Sequence, residues 1–210
     1  MRVISVLVPP VLIGDGQVPL PAIGETVRYY LRFTEVPRES GDPLASMSTA
    51  RADPVGDGSP RCGMRFDGTP HDRPPYFPTR LHTDGWGAFW AAPRNVAGQL
   101  EVHGSLLAEF GALALPDMAV RGRIARLQTV HSVIDTSDPD QQNWRSIPDR
   151  RILTAVQAIP VRSAENRGKP EPEAPFHDTS GGRWEPYIAK GEPQTEYSGV
   201  LVDVDIDDLA

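Results

Sequence analysis

Apolar and polar residues alternate along three segments of the chain, and this alternation predicts three β-strands that each bury one face. A period of two is the signature of a half-buried strand, since successive side chains point to opposite sides of a sheet. In the last segment, the predicted outward positions are Leu201, Asp203, Asp205 and Asp207. The predicted inward positions are Val27, Tyr29, Leu31 and Phe33 in residues 24–33, Leu100, Val102, Leu106, Ala108 and Phe110 in residues 100–110, and Val200, Val202, Val204 and Ile206 near the end.

Other segments indicate strands with less regular patterns. Residues 80–92 hold Trp86, Phe89 and Trp90 around Gly85 and Gly87, which predicts one kinked or bulged strand. Residues 120–134 carry apolar residues at helical spacing, yet their β-branched content favours a strand with a bulge. We also expect strands in residues 151–161 and within residues 1–13.

Two proline-rich stretches, at about 37–79 and 163–196, are predicted to be long irregular insertions, apart from one short turn of helix at 45–52. The chain of 210 residues contains 19 Gly and 22 Pro, which disfavours helices and suits turn-rich β structure. The sequence therefore predicts a single mainly β domain over residues 1–210. We expect a small β-barrel or sandwich of about six to eight mostly antiparallel strands with long Pro-rich loops.

Charge and cysteine content indicate a soluble protein of a reducing compartment. Cys62 is the only cysteine, so no intrachain disulfide can form, and this favours a cytoplasmic protein. The apolar start is interrupted by Pro9 and Pro10, is too short for a membrane span, and suits a strand better than a signal peptide. The net charge of −7 falls mostly in residues 135–210 and makes nucleic acid an unlikely partner.

Four residues suggest a site for catalysis or metal binding. His82 and Asp84 lie two residues apart, a spacing that suits metal ligation or acid–base chemistry. If their strands are neighbours, His103 and His131 could converge on them, and a zinc- or manganese-dependent hydrolase would result. The alternative is that these histidines are scattered over the surface of the sheet.

Aromatic and basic residues suggest two further binding surfaces. Trp86 and Trp90 could recognise a ligand that approaches the backbone at the neighbouring glycines, although such large rings are more often core residues. Arg123 and Arg126 belong to a second group that could form the basic aromatic face of an oligonucleotide-binding barrel. The same residues would serve equally well as the solvated face of a sheet. The full group is Arg28, Tyr30, Arg32, Arg121, Arg123 and Arg126.

Recognisable catalytic motifs are missing from the sequence. It contains neither a Gly-x-Ser-x-Gly nucleophile motif nor a glycine-rich phosphate loop. The leading hypothesis is therefore a non-catalytic binding or interaction module without a cofactor, whose partner is an unknown protein or small molecule. The metal-dependent enzyme and the oligonucleotide-binding barrel remain the alternatives.

Three short segments resemble a known group of proteins. They are Ile23-Gly-Glu-Thr-Val27, Arg121-Gly-Arg-Ile-Ala125 and Tyr197-Ser-Gly-Val-Leu-Val-Asp203. Their order is similar to that in a family of small uncharacterised actinomycete β-barrel-like proteins. The resemblance implies a β-barrel in a bacterial cytoplasm and implies no activity.

Overall fold

The protein is mainly β in a computed structural model that describes residues 2–63, 74–110, 117–135, 145–159 and 194–207. One short α-helix, α1, follows the first strand, and one 3-10 turn lies at Arg38–Ser40. The bounds are β1 Val3–Val8, α1 Pro10–Gly14, β2 Thr26–Glu35, β3 Ser46–Pro54, β4 Phe77–His82, β5 Gly87–Ala92, β6 Gly98–Ala108, β7 Ala119–Asp135, β8 Arg145–Val156 and β9 Gln194–Asp205.

Eight of these strands close into a barrel. Their order is β2-β5-β4-β3-β6-β1-β9-β7, and a β2–β7 pairing closes the ring. The eighth strand in chain order, β8, pairs with β7 outside the ring. The pairs β1–β6 and β2–β5 are parallel, and the other pairings are antiparallel. The predicted small barrel of mostly antiparallel strands is confirmed.

A further pairing joins β2 to β6 across the ring, in a register that sets Phe33 opposite Leu106 and Glu35 opposite Gly104. The two backbones approach closely at Gly104. A Cβ atom there would lie 2.1 Å from the carbonyl oxygen of Thr34 and 2.5 Å from the Phe33 ring. Only glycine fits at this position, because the nearest atom belongs to backbone that cannot turn aside.

The inward positions predicted from alternation form the barrel core. The four apolar residues predicted for β2 are at most 8% exposed, and Val200, Val202 and Val204 are 0% exposed. Tyr29 lies among them, and its hydroxyl has no hydrogen-bond partner among the described residues. Burial, together with the charge of Glu25, raises the pKa of Tyr29 above its ordinary value.

Two predictions for the middle of the chain are wrong. Residues 80–92 form a hairpin, β4 and β5, whose turn lies at residues 83–86, instead of one kinked strand. Residues 45–52 belong mostly to β3 and form no helical turn, since pairing with both β4 and β6 overrides the local preference of their alanines. Consequently the stretch 37–79, expected to be irregular, contributes a full strand to the barrel.

The bulge predicted for residues 120–134 is confirmed. The register of β7 against β9 shifts between Ile124 and Arg126 and again between Val130 and His131. Each shift changes which side chains of β7 face the core, so Leu127 is in the barrel core and Val130 is not. The strand predicted at 151–161 is present but begins earlier, at Arg145. Of the stretch 163–196, expected to be irregular, residues 194–196 instead begin β9, and residues 163–193 lie outside the described residues.

A second small apolar cluster forms on the outside of the barrel. Leu44, from the loop before β3, packs there against Val130 and Leu201. The Asp42 carboxylate accepts two hydrogen bonds from Nη1 of Arg151, at 3.0 and 2.9 Å, and this fastens the loop to β8. Leu201 was predicted to occupy an outward position. It does face outward, but it is only 5% exposed because this loop covers it.

Candidate functional site

Two open clefts flank the β4–β5 turn, residues 83–86. The first, called the arginine cleft here, has a volume of about 670 Å³. The second, called the mixed cleft, has about 790 Å³. The arginine cleft is lined by Arg2, Thr26, Val27, Arg28, Gly85, Ala119, Val120, Arg121 and Ile206. The mixed cleft is lined by Thr49, Ala50, Arg51, Asp53, His82, Thr83, Asp84, Ala97, Gly98 and Gln99.

The first halves of β2 and β7 build one wall of the arginine cleft. Their antiparallel register sets Arg28 directly opposite Arg121. Val27 and Val120 point into the core, so alternation turns both arginines outward into the cleft. Directly opposed residues of neighbouring strands have Cβ atoms about 5 Å apart, which brings the two guanidinium groups to the same surface.

The three arginines of this cleft differ in their contacts. The Arg28 guanidinium lies over the Tyr30 ring, 5.1 Å from its centroid. Arg2 bonds Asp84 at 2.6 Å and Asp207 at 2.8 Å, and these carboxylates raise the pKa of Arg2, while Arg2 lowers the pKa of Asp207. Arg121 has no carboxylate within ion-pairing distance among the described residues.

The β4–β5 turn contributes Gly85 to the lining of the arginine cleft. Its φ of +137° belongs to the left-handed region that favours glycine. The turn is held by Thr83, whose hydroxyl accepts a hydrogen bond from the backbone N–H of Trp86 at 3.2 Å. Because Asp84 of the same turn is bonded to Arg2, the turn is tied to the chain's first strand.

The mixed cleft carries charges of both signs. Arg51 bonds Asp53 at 3.1 Å, and His82 and Asp84 line the same cleft. The Nε2 atom of His82 lies 3.9 Å from an Asp117 oxygen, which is a long contact for an ion pair. The side chain of Asp84 is 95% exposed, so its carboxylate remains solvated even though it bonds Arg2.

The structure brings together only two of the four residues expected to form a metal or catalytic site. His82 and Asp84 share the mixed cleft. The Nδ1 atom of His103 instead contacts the Val36 carbonyl oxygen at 2.8 Å, and the ring of His131 packs against Tyr197. Within the described ranges, no group of three or more His, Cys, Asp or Glu residues is placed to hold a metal ion.

The recognition surface expected from Trp86 and Trp90 is not present. Trp86 is 6% exposed and Trp90 is 2% exposed, and both belong to the barrel core. The Trp90 ring packs edge-to-face on Phe33 at a centroid distance of 5.9 Å. The two rings fill the barrel because the hairpin turns at residues 83–86, which points both side chains inward.

The basic residues expected on one face of the sheet do share one surface, but some of their guanidinium groups are already engaged by other residues. Arg126 bonds the buried carboxylate of Asp203 at 2.6 Å. Arg123 faces Thr26 on β2 and Asp205 on β9 and is also engaged. The sequence did not indicate that Arg2 belongs to a site. Its partners Asp84 and Asp207 lie 82 and 205 positions further along the chain, so no local pattern reveals these contacts.

Among the described residues, no helix combines the length and hydrophobicity that a bilayer crossing requires. Comparison with known proteins finds no matching family model, no matching curated sequence and no matching solved structure. The function therefore has to be inferred from the geometry and chemistry of the two clefts.

Proposed function

We propose that this protein is a non-catalytic binding module and that the arginine cleft is its binding site. One observation carries the proposal: an open cleft of about 670 Å³ lies between strand ends of a closed barrel. Ligand sites commonly occupy volumes of about 300–1,000 Å³ and are largely formed before the ligand arrives. Strands β2 and β7 belong to the barrel wall, so the cleft keeps its shape without a ligand.

The chemistry of the lining supports binding rather than catalysis. Among the described residues, its ionisable side chains are arginines, which stay protonated at physiological pH and so cannot act as a general acid or base. The candidate acid–base residues His82 and Asp84 line the other cleft. The arginine cleft therefore offers hydrogen-bond donors and positive charge but no group to move a proton.

Blocking the cleft tests this proposal. Thr26 is an exposed residue of the lining, and Thr34 is exposed on the same face of β2 outside it. We expect at least one of three probes, citrate, spermidine or maltose, to raise the melting temperature of the wild type and of Thr34→Tyr. The same probe should have no effect on Thr26→Tyr, whose ring fills the cleft.

The size of the shift can be anticipated from binding linkage. A ligand present at about 100 times its dissociation constant stabilises the folded state by about 2.7 kcal/mol. No shift with any of the three probes would contradict the proposal, as would an equal shift in Thr26→Tyr.

A metal-dependent enzyme is the second candidate, because the mixed cleft brings His82 and Asp84 together; the described residues place no third metal ligand beside them. Its test is metal analysis of the purified protein and of His82→Ala, with His131→Ala as the matched control. Stoichiometric zinc or manganese that is lost only in His82→Ala would support the enzyme. It would also replace the binding module as the leading function.

A further inference from the structure

Arg28 and Arg121 stand opposite each other on neighbouring strands with both side chains in the arginine cleft. Like charges in directly opposed positions of a sheet destabilise the pair. Among the described residues, none that lines the cleft is a carboxylate. An anion that binds between the two guanidinium groups relieves their repulsion.

Two other arginines of the outer surface, Arg32 and Arg126, are each paired with a carboxylate. Arg32 has a Glu109 oxygen at 3.2 Å, and Arg126 has an Asp203 oxygen at 2.6 Å. Arg121 lies on the same side of the same sheet, yet no described carboxylate pairs with it. Its charge therefore stays available to a ligand.

We infer that the arginine cleft binds a small molecule through a carboxylate or phosphate group, an inference that rests on the function proposed above. A guanidinium group presents two parallel N–H donors that match the two oxygens of such a group. With Cβ atoms about 5 Å apart, Arg28 and Arg121 can donate to one oxyanion from both sides. Val27 and Val120, which precede these arginines in their strands and belong to the core, also line the cleft.

Arg2 limits and shapes this site. Its guanidinium already bonds Asp84 and Asp207, so its charge is largely balanced before a ligand arrives. A ligand that reaches Arg2 has to compete with these two carboxylates. The main contact is therefore assigned to Arg121, with Arg28 directly opposite it on the neighbouring strand, and Arg2 also lines the cleft.

The charge of the whole molecule favours a small anion over a polyanion. The chain carries a net charge of −7, and Asp205 and Asp207 lie close to the cleft residues Ile206 and Arg2. This field repels an extended polyanion over many ångströms. A small anion needs only the short-range contact, where the two guanidinium groups dominate.

Titration calorimetry of citrate and of inorganic phosphate tests the inference at low ionic strength. We expect at least one of them to bind the wild type. Arg121→Gln should weaken binding at least about tenfold, which is the scale of one charge-assisted contact. The matched control is Arg150→Gln, which removes an exposed arginine of β8 outside the cleft and should change the affinity less than about twofold.

Comparing citrate with inorganic phosphate distinguishes a carboxylate ligand from a phosphate ligand. The probes that carry neither group, together with Thr26→Tyr, distinguish failure of this inference from failure of the proposed function. If maltose or spermidine binds and Thr26→Tyr blocks it, while citrate and phosphate fail to bind, the binding module stands and the oxyanion ligand is wrong. Equal citrate or phosphate affinity in Arg121→Gln and wild type also overturns the inference. So does tight binding of a single-stranded oligothymidylate without any binding of the small anions.

Discussion

Arginines beside the two halves of β7 lie in opposite circumstances on the outside of one barrel. The second half is covered by the loop that bears Leu44, and its neighbourhood contains two short ion pairs, Arg126 with Asp203 and Arg151 with Asp42. The first half is open, and there Arg121 stands opposite another arginine in a cleft.

The difference follows from solvation. Within the covering loop, the Asp42 side chain is 3% exposed, and a charge this buried needs a partner. On the open half, water solvates the charges, so the fold requires no partner for Arg121. Lack of a partner is therefore no evidence of a ligand by itself. The opposed register and the cleft are what distinguish Arg121 from an ordinary surface arginine.

The largest effect is expected on the covered half. Arg151→Met removes the partner of buried Asp42 and should lower the free energy of unfolding by about 3 kcal/mol. Arg150→Met, one residue away and exposed, should change it by less than about 0.5 kcal/mol. Urea unfolding measures both. Equal losses in the two variants would mean that the pair does not hold the loop.

A smaller change in the free energy of unfolding, of opposite sign, is expected in the core, because burying a polar group without a partner is unfavourable there too. Tyr29→Phe deletes a hydroxyl that has no partner among the described residues, and should raise the free energy of unfolding by about 1 kcal/mol at pH 8. A clear loss of stability would show that the hydroxyl does have a partner, such as a bound water.

The pH dependence of the same variant checks the cause. The folded-state pKa of Tyr29 is raised, so the hydroxyl stays neutral in the folded protein while the unfolded chain ionises above about pH 10. The contribution of the neutral Tyr29 hydroxyl to the free energy of unfolding is thus present below about pH 10 and is lost as the pH rises further. The advantage of Tyr29→Phe should grow by about 1.4 kcal/mol for each pH unit above 10.

The smallest effect is expected on the open half. Arg121→Gln removes one member of an opposed like-charge pair, so the free energy of unfolding should rise by a few tenths of a kcal/mol, about 0.3, or stay unchanged. The rise should shrink in 1 M salt, where the charges are screened. A loss of more than about 1 kcal/mol would give Arg121 a structural role and would erase its contrast with Arg151.

Strand alternation predicted the parts of this fold in which one face is buried and the other is solvated. The four inward residues of β2 are the clearest case, and every one is in the core. Prediction failed where small residues make the pattern weak, as in β3 with Ala50 and Ala52. It also failed at residues 83–86, which form the turn of a hairpin and not a kink within one strand.

The candidate site could be predicted only in part, because its register joins distant segments. The sequence indicates that Arg28 and Arg121 belong to one basic group, but not that they are directly opposed. Arg2 carries no local signal, since its partners are Asp84 and Asp207. The metal hypothesis placed His103 and His131 with His82 because the strand order was unknown.

The most direct test of the arginine cleft is to locate bound citrate by amide chemical-shift changes in the two-dimensional NMR spectrum of the full chain. We expect the largest shifts at Thr26, Arg28, Gly85 and Arg121, which line that cleft. Residues 49–51 and 97–99, which line the mixed cleft, should stay unchanged. Shifts concentrated in the mixed cleft, or no shifts at all at saturating citrate, would contradict this expectation.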